Sequence, residues 1–167
     1  MNEWNDDDLL LEVLNSTPIC AGEQRDHLSG QIGQLWLVAH GMEDSLEEQG
    51  YLIAARGALQ DAVRSAATPV GIDQWLRDIA AVPTFEQGEL RWSRTLPPGR
   101  SGASRVVLAW AQAQREHPGR IRACANIACR RFLFDRSRSN QAKWCSMATC
   151  GNRAKARRHY DRLRAEA

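Results

Sequence analysis

Nowhere in its 167 residues does the chain offer eighteen consecutive apolar side chains, the least that a membrane-crossing helix needs. Its N-terminus, Met-Asn-Glu-Trp-Asn-Asp-Asp-Asp, is acidic, whereas a secretory leader starts positive. The expectation is a cytoplasmic protein with no membrane partner. Catalytic signatures are missing as well: there is no glycine-rich phosphate loop, no helical HExxH pair and no GxSxG elbow. His27 and His40 stand alone, and an isolated histidine is usually a bystander. An enzyme is not expected.

Cysteine is scarce, but four of the five residues form two matched pairs in the last third: Cys124-x4-Cys129, then fifteen residues, then Cys145-x4-Cys150. Two short loops with a sulfur at either end can supply the tetrahedron that a zinc ion takes. In a reducing compartment paired cysteines read as metal ligands before disulfides. Cys124, Cys129, Cys145 and Cys150 are therefore expected to hold one structural zinc. Four cysteines close its coordination sphere and leave no position for a reactive water. Cys20, the odd one, reads as a small buried hydrophobe.

The formal charge of +2 hides a division. Residues 1–119 carry nine Lys/Arg against seventeen Asp/Glu, a net of −8, and residues 120–167 carry thirteen against three, a net of +10. A surface that basic seeks polyanions. The change falls at His117-Pro118-Gly119, which places a domain boundary between residues 119 and 120.

The first part reads as a small, mainly helical domain. Asn5 and three aspartates suit the start of a helix to about Leu14, although Leu-Leu-Leu-Glu-Val-Leu-Asn suits a buried strand too. A second helix is expected from Arg25 to Ala39, with Leu28, Ile32, Leu35, Trp36 and Ala39 inward. It is weakened by Gly30 and Gly33, so packing must hold it. A third runs from about Tyr51 to Ala67 on the stripe Leu52, Ala55, Leu59, Val63 and Ala66. A short one covers Ile72 to Ala81 with Trp75, Leu76 and Ile79 inward. Glu89 to Thr95 alternates as a strand or hairpin arm. Ser101 or Ser104 then caps a helix to about Glu116, with Val106, Val107, Trp110 and Ala113 on its apolar face.

In the second part, the Cys124–Cys129 loop leads into a strand at Arg131–Phe134. Ala142-Lys143-Trp144 is expected to return as the second arm of a hairpin. Ser146 caps a helix from about Met147 to Arg164 that carries Cys150 in its first turns. Knuckle, hairpin and ligand-bearing helix is a treble-clef-like order, by analogy. Gly151 and Asn152 are poor helix formers and suggest a close backbone approach or a distorted turn around the metal, with Asn152 bonded to the knuckle. Arg153, Lys155, Arg157, Arg158, Arg162 and Arg164 make the helix a candidate nucleic-acid surface, extended by Arg136, Arg138 and Lys143 on the hairpin turn. For Arg153, neutralising the thiolates is an equal alternative.

The string from Lys143 through Cys145 and Cys150-Gly151-Asn152-Arg153 to Arg157, preceded by Cys124-x4-Cys129 and Phe132-Leu133-Phe134, resembles the CGNR zinc finger. The resemblance covers about Arg120 to Arg164. It implies that the four cysteines bind zinc, and that the chain is similar to bacterial proteins described as stress-induced or DNA-binding transcription regulators. In that family a helical domain called ABATE precedes the finger. Leu11-Glu-Val-Leu-Asn-Ser-Thr17 resembles its opening Leu-Asp-Phe-Val-Asn-Thr stretch, with Glu12 in place of the aspartate.

The expected function is thus a bacterial transcription regulator that binds DNA through the basic helix of a zinc module. Two alternatives stay open: an RNA-binding module, and a protein-interaction module whose basic helix meets an acidic partner, in the same chain or its twin. A homodimer fits the small size of one module. A small-molecule ligand of the N-terminal domain is left undefined.

Overall fold

The computed structural model describes residues 6–20 and 22–165. About 48% of the chain is helical, against small two-stranded sheets, so the fold is mainly α. Helix α1 (Asp7–Leu14) begins with two aspartates, which favour the positive end of a helix dipole, and buries Leu9, Leu10, Val13 and Leu14. Asn5, expected as its cap, lies outside the described residues. Asp6 takes the cap position, but its carboxylate accepts from Arg105 and not from the helix N–H groups. Two short strands follow, β1 (Ile19–Cys20) and β2 (Glu23–Gln24), paired antiparallel. The side chain of Cys20 also lies outside the described residues.

Helix α2 (Gly30–Ala39) is shorter than expected, and its inward face is different. Of the expected inward positions Leu28 is buried and Trp36 packs against the core, but Ile32, Leu35 and Ala39 are exposed, and Gly33 and Leu37 are buried instead. With almost no polar residue on any side, periodicity could not tell which face turns in. Gly33 settles it: a Cβ there would lie 2.0 Å from the backbone oxygen of Leu28, so only glycine lets the preceding turn pass this closely. Replacing Gly33 by Ala improves intrinsic helix propensity by about 1 kcal/mol. The overpacking against rigid backbone costs about 1–3 kcal/mol and wins. A fall in thermal midpoint, measured by circular dichroism, is the expected outcome; a rise would refute the close packing.

Helix α3 (Leu46–Ser65) is the axis of the domain. The Ser45 hydroxyl accepts from the Glu48 N–H at its start, and Ala66 ends it in the left-handed region at φ 51°. Of the expected stripe, Leu52, Ala55 and Leu59 are fully buried and Val63 partly so, whereas Ala66 falls on the cap and is exposed. A second, polar stripe is buried beside it. Arg56 makes a two-pronged ion pair with Asp26 (2.6 and 2.7 Å) and bonds Ser16. Gln60 bonds the Leu14 carbonyl and Thr17, and Gln49 the Gly30 carbonyl. These side chains tie α3 to the end of α1, the start of α2 and the segment between them, and leave the buried polar groups bonded.

The helix expected at 72–81 is not there. A single 3₁₀ turn (Ile72–Trp75) buries Trp75, and the chain then enters a hairpin of β3 (Ala80–Glu86) and β4 (Glu89–Thr95), in register from Ala80 opposite Thr95 to Glu86 opposite Glu89. Gln87 and Gly88 both have positive φ, the two-residue turn that matches strand twist. The strand expected at 89–95 is present, and pairing with it outweighs the weak helical tendency of residues 80 and 81.

Helix α4 (Ser101–Glu116) packs against α1 and α3 and buries Val106, Val107 and Ala113, with Trp110 partly covered. Neither serine caps it. Instead, the fully buried Glu48 carboxylate accepts from the Ser101 N–H, the Ser101 hydroxyl and the Gly102 N–H (2.6 Å). A negative group buried at a helix N-terminus satisfies donors that otherwise lack partners.

Strands β5 (Ile121–Ala123) and β6 (Phe132–Phe134) pair antiparallel and bring the last third back onto the helices. Ile121 and Phe132 belong to the same core as Leu10, Leu59 and Val106. Asn15 on the turn after α1 seals the joint, its amide donating to the Phe132 carbonyl (3.2 Å) and accepting from the Phe132 N–H (2.8 Å). The guanidinium of Arg64 lies 4.6 Å over the Phe132 ring. The composition changes at residue 119, but the hydrophobic core runs across it.

Candidate metal centre and basic helix

All four paired cysteines come together, with their sulfurs within 4.8 Å of one another. Cys129 and Cys145 are 3.5 Å apart, and Cys145 and Cys150 are 3.8 Å apart. A zinc tetrahedron with bonds of about 2.3 Å has edges of about 3.8 Å, so the residues fit the ion. Four thiols this close resist ionising together. Burial first, then neighbouring sulfurs, push Cys145 far above the ordinary thiol range, and burial also raises Cys129. Burial opposes Cys150 as well, but hydrogen bonds from Asn126 and the other cysteines outweigh it and bring that thiol down to about 7. A divalent cation supplies the charge that lets all four become ligands.

The ligand loops are built from backbone contacts. Cys129 N–H donates to the Asn126 carbonyl, which closes the knuckle, and Cys124 N–H donates to the Arg131 carbonyl. Asn126 reaches the Cys150 sulfur at 3.6 Å. That residue, not Asn152, links knuckle to helix: the Asn152 amide turns back to the Ala148 carbonyl. An asparagine two residues after a ligand cysteine is the signal that sequence reading passed over.

The expected hairpin of 131–134 with 142–144 does not form. The partner of β6 is β5, so the hairpin straddles the first knuckle. Asp135 explains why the return arm stays irregular, since its buried carboxylate takes the Ala142 N–H (2.8 Å), the Ser137 N–H and the Arg122 guanidinium (2.6 Å). Hydrogen bonding from Ser137, against burial and with help from Ala142 and Arg122, holds that carboxyl at about 2. Lys143 contributes its carbonyl to Ala125 N–H, which brings the second knuckle beside the first.

Ser146 caps the last helical segment as expected, its hydroxyl accepting from Thr149 N–H. The segment starts as a π turn (Met147–Gly151), which widens the backbone and delivers Cys150 to the other sulfurs. Gly151 is buried there, and a Cβ would meet the Met147 side chain at 2.7 Å. Of the two expectations for this glycine, the distorted turn is the one present: the neighbour at Gly151 is a side chain and not backbone. Helix α5 (Asn152–Ala165) continues from it into solvent.

The candidate phosphate-binding cations are not brought to one point. Arg153, Lys155, Arg157, Arg158, Arg162 and Arg164 are exposed along α5, and none of them pairs with a carboxylate among the described residues. Arg138 and Lys143 are exposed on the finger. Arg136 is committed elsewhere, to Asp8 of α1 at 2.5 Å. Arg130 and Arg131, exposed directly after Cys129, were passed over by the sequence reading; adjacent arginines beside a ligand were the available signal. His40 stacks on Trp36 at 3.8 Å and bonds Glu12 Oε2, a packing role as expected. No helix among the described residues is long and apolar enough to cross a membrane.

Residues 120–163 match the family model of the CGNR zinc finger. The match stops short of the N-terminal helices. A comparison with curated proteins found none that matches the chain.

Proposed function

The C-terminal part of the chain is a CGNR zinc finger, and on that premise we propose that the protein is a transcription regulator that binds duplex DNA through α5. One observation carries this reading: the distribution of charge around a helix that is exposed along its length. At 100° per residue, Arg153, Arg157 and Arg164 fall on one ridge and Lys155, Arg158 and Arg162 on another. Between them lies an uncharged strip of Ala156, His159, Tyr160 and Leu163. A helix in a major groove about 12 Å wide places its middle at base edges and its flanks near the two phosphate strands. Two ridges around a neutral strip suit that pose. The deep, narrow major groove of A-form RNA does not admit a helix, which disfavours the RNA reading for paired substrates.

In this reading the zinc site is structural. It roots α5 through Cys150, and the four-sulfur sphere supports a binding role over a catalytic one. The N-terminal part is read as an ABATE-like domain on its Leu11–Thr17 motif and its order of helices, hairpin and helix before the finger. A cytoplasmic bacterial protein fits the same picture.

The test is a fluorescence-anisotropy titration of the zinc-loaded chain with labelled duplex, repeated over a salt series. Neutralising about six phosphates gives a log–log slope near −5, and Arg157→Ala with Arg158→Ala should reduce that slope by about two. Salt-independent binding, or no binding at low salt, sinks the proposal. An RNA hairpin that outcompetes duplex DNA would instead establish the RNA alternative.

A further inference from the structure

The β3–β4 hairpin has an apolar face that nothing covers among the described residues. Its register puts Ala81, Pro83 and Phe85 on the same side as Leu90, Trp92 and Arg94. The opposite side carries Thr84, Glu86, Glu89, Arg91 and Ser93, with Val82. Phe85 is 75% exposed, Leu90 61% and Trp92 52%, and the core of the molecule includes none of them. A lone two-stranded hairpin is marginal in water, and two aromatic rings on one side of it are costly to leave wet. This amphipathic alternation is built to be packed on.

We infer that this face is the dimer interface of the protein, packing against the same face of a second copy. Charge selects the occupant. Residues 1–119 carry a net of −8, so two copies meet like charge over most approaches between these parts. The hairpin face has no acidic residue, and its one cation, Arg94, lies at its base end. It is where two acidic parts can touch without an electrostatic cost, while a highly charged partner gains nothing from it. Shape agrees: two identical twisted sheets stack face to face about 10 Å apart, which sets Trp92 and Phe85 of each copy into the layer between them. Whole aromatic side chains bury about 150–250 Å² each, so these partly exposed residues contribute about 400–500 Å² per copy. That is below the roughly 800 Å² of a standard interface and suits a reversible, concentration-dependent dimer. The uncharged outer face of α2, with Ile32 70% and Leu35 66% exposed, is smaller and has no aromatic residue at its centre.

Sedimentation equilibrium of the zinc-loaded full chain, without nucleic acid, tests this separately from DNA binding. The mass should rise from one chain to two with concentration. Leu90→Lys or Trp92→Lys should raise the dissociation constant about a hundredfold or more, because two like charges are then forced together. Thr84→Lys and Ser93→Lys, on the opposite face, should change it only a few-fold. Melting curves should hardly move for any of the four, since the hairpin lies outside the core. A single-chain mass at every concentration overturns the inference. So does a dimer that survives Leu90→Lys and Trp92→Lys, one equally sensitive to the opposite face, or one lost through Leu35→Lys on α2.

Discussion

Chelation of the zinc, or Cys150→Ser, is expected to unfold the segment from Arg120 onward and to destabilise the helices in front of it. A structural zinc in a small module contributes apparent values of about 10–16 kcal/mol near neutral pH. The finger has few means of replacing that. Its buried side chains are Ile121, Phe132, Leu133 and Asp135, apart from Cys124 and Cys150 themselves. Without a cation between the sulfurs, the π turn has no reason to stay wide at Cys150, and α5 loses its root. An exposed helix of fourteen residues is marginal alone in water, so its helicity should fall with the rest. The far-ultraviolet helix signal should drop on chelation and return when zinc is restored. Elemental analysis should find one zinc per chain. Unchanged spectra and melting after complete removal of the metal would show that the sulfurs are gathered by packing alone.

Phe132→Ala should cost about 3–5 kcal/mol, the usual range for emptying a fully buried aromatic site. Its effect should not stay within the finger. Phe132 is 1% exposed and sits in one core with Leu10, Leu59 and Val106, under the Arg64 guanidinium, while its backbone is held by Asn15. A single cooperative transition shifted to lower denaturant, with N-terminal and finger probes moving together, is the result that this geometry requires. Ile127, 93% exposed at the tip of the first knuckle, is the matched control, and its alanine variant should lie within about 0.5 kcal/mol of the parent. Should Phe132→Ala melt only the finger, the shared core would be energetically unimportant.

Side chains of α1 and its end also join the two parts directly. Asp8 near the start of α1 and Asn15 just past its end, about two turns apart, bind Arg136 and Phe132 of the finger.

The metal ligands were legible because their chemistry is local. Two cysteine pairs at matched spacing and the Cys150-Gly151-Asn152-Arg153 string carry their meaning in one dimension, and the structure places the sulfurs as that spacing requires. The buried part of the α3 stripe was legible from a helical period over a long window, and the strand at 89–95 from the alternation of Leu90, Arg91 and Trp92 over a short one. The inward face of α2 was not, because a helix that is apolar nearly all round has no period to read. The 72–81 segment was misread because Asp78 turns into the left-handed region at φ 60° and residues 80 and 81 pair with β4.

By itself, the sequence determined the ligand set, the charge division at residue 119 and the mainly helical character, since each depends on residues close in the chain. Only the tertiary structure decided that the finger shares a core with the helices, that Asp135 holds the turn after β6, and that β5 rather than 142–144 pairs with β6. Those outcomes rest on contacts between groups far apart in the chain, 117 residues in the case of Asn15 and Phe132, where many partners compete for the same hydrogen bonds and only the folded packing selects among them.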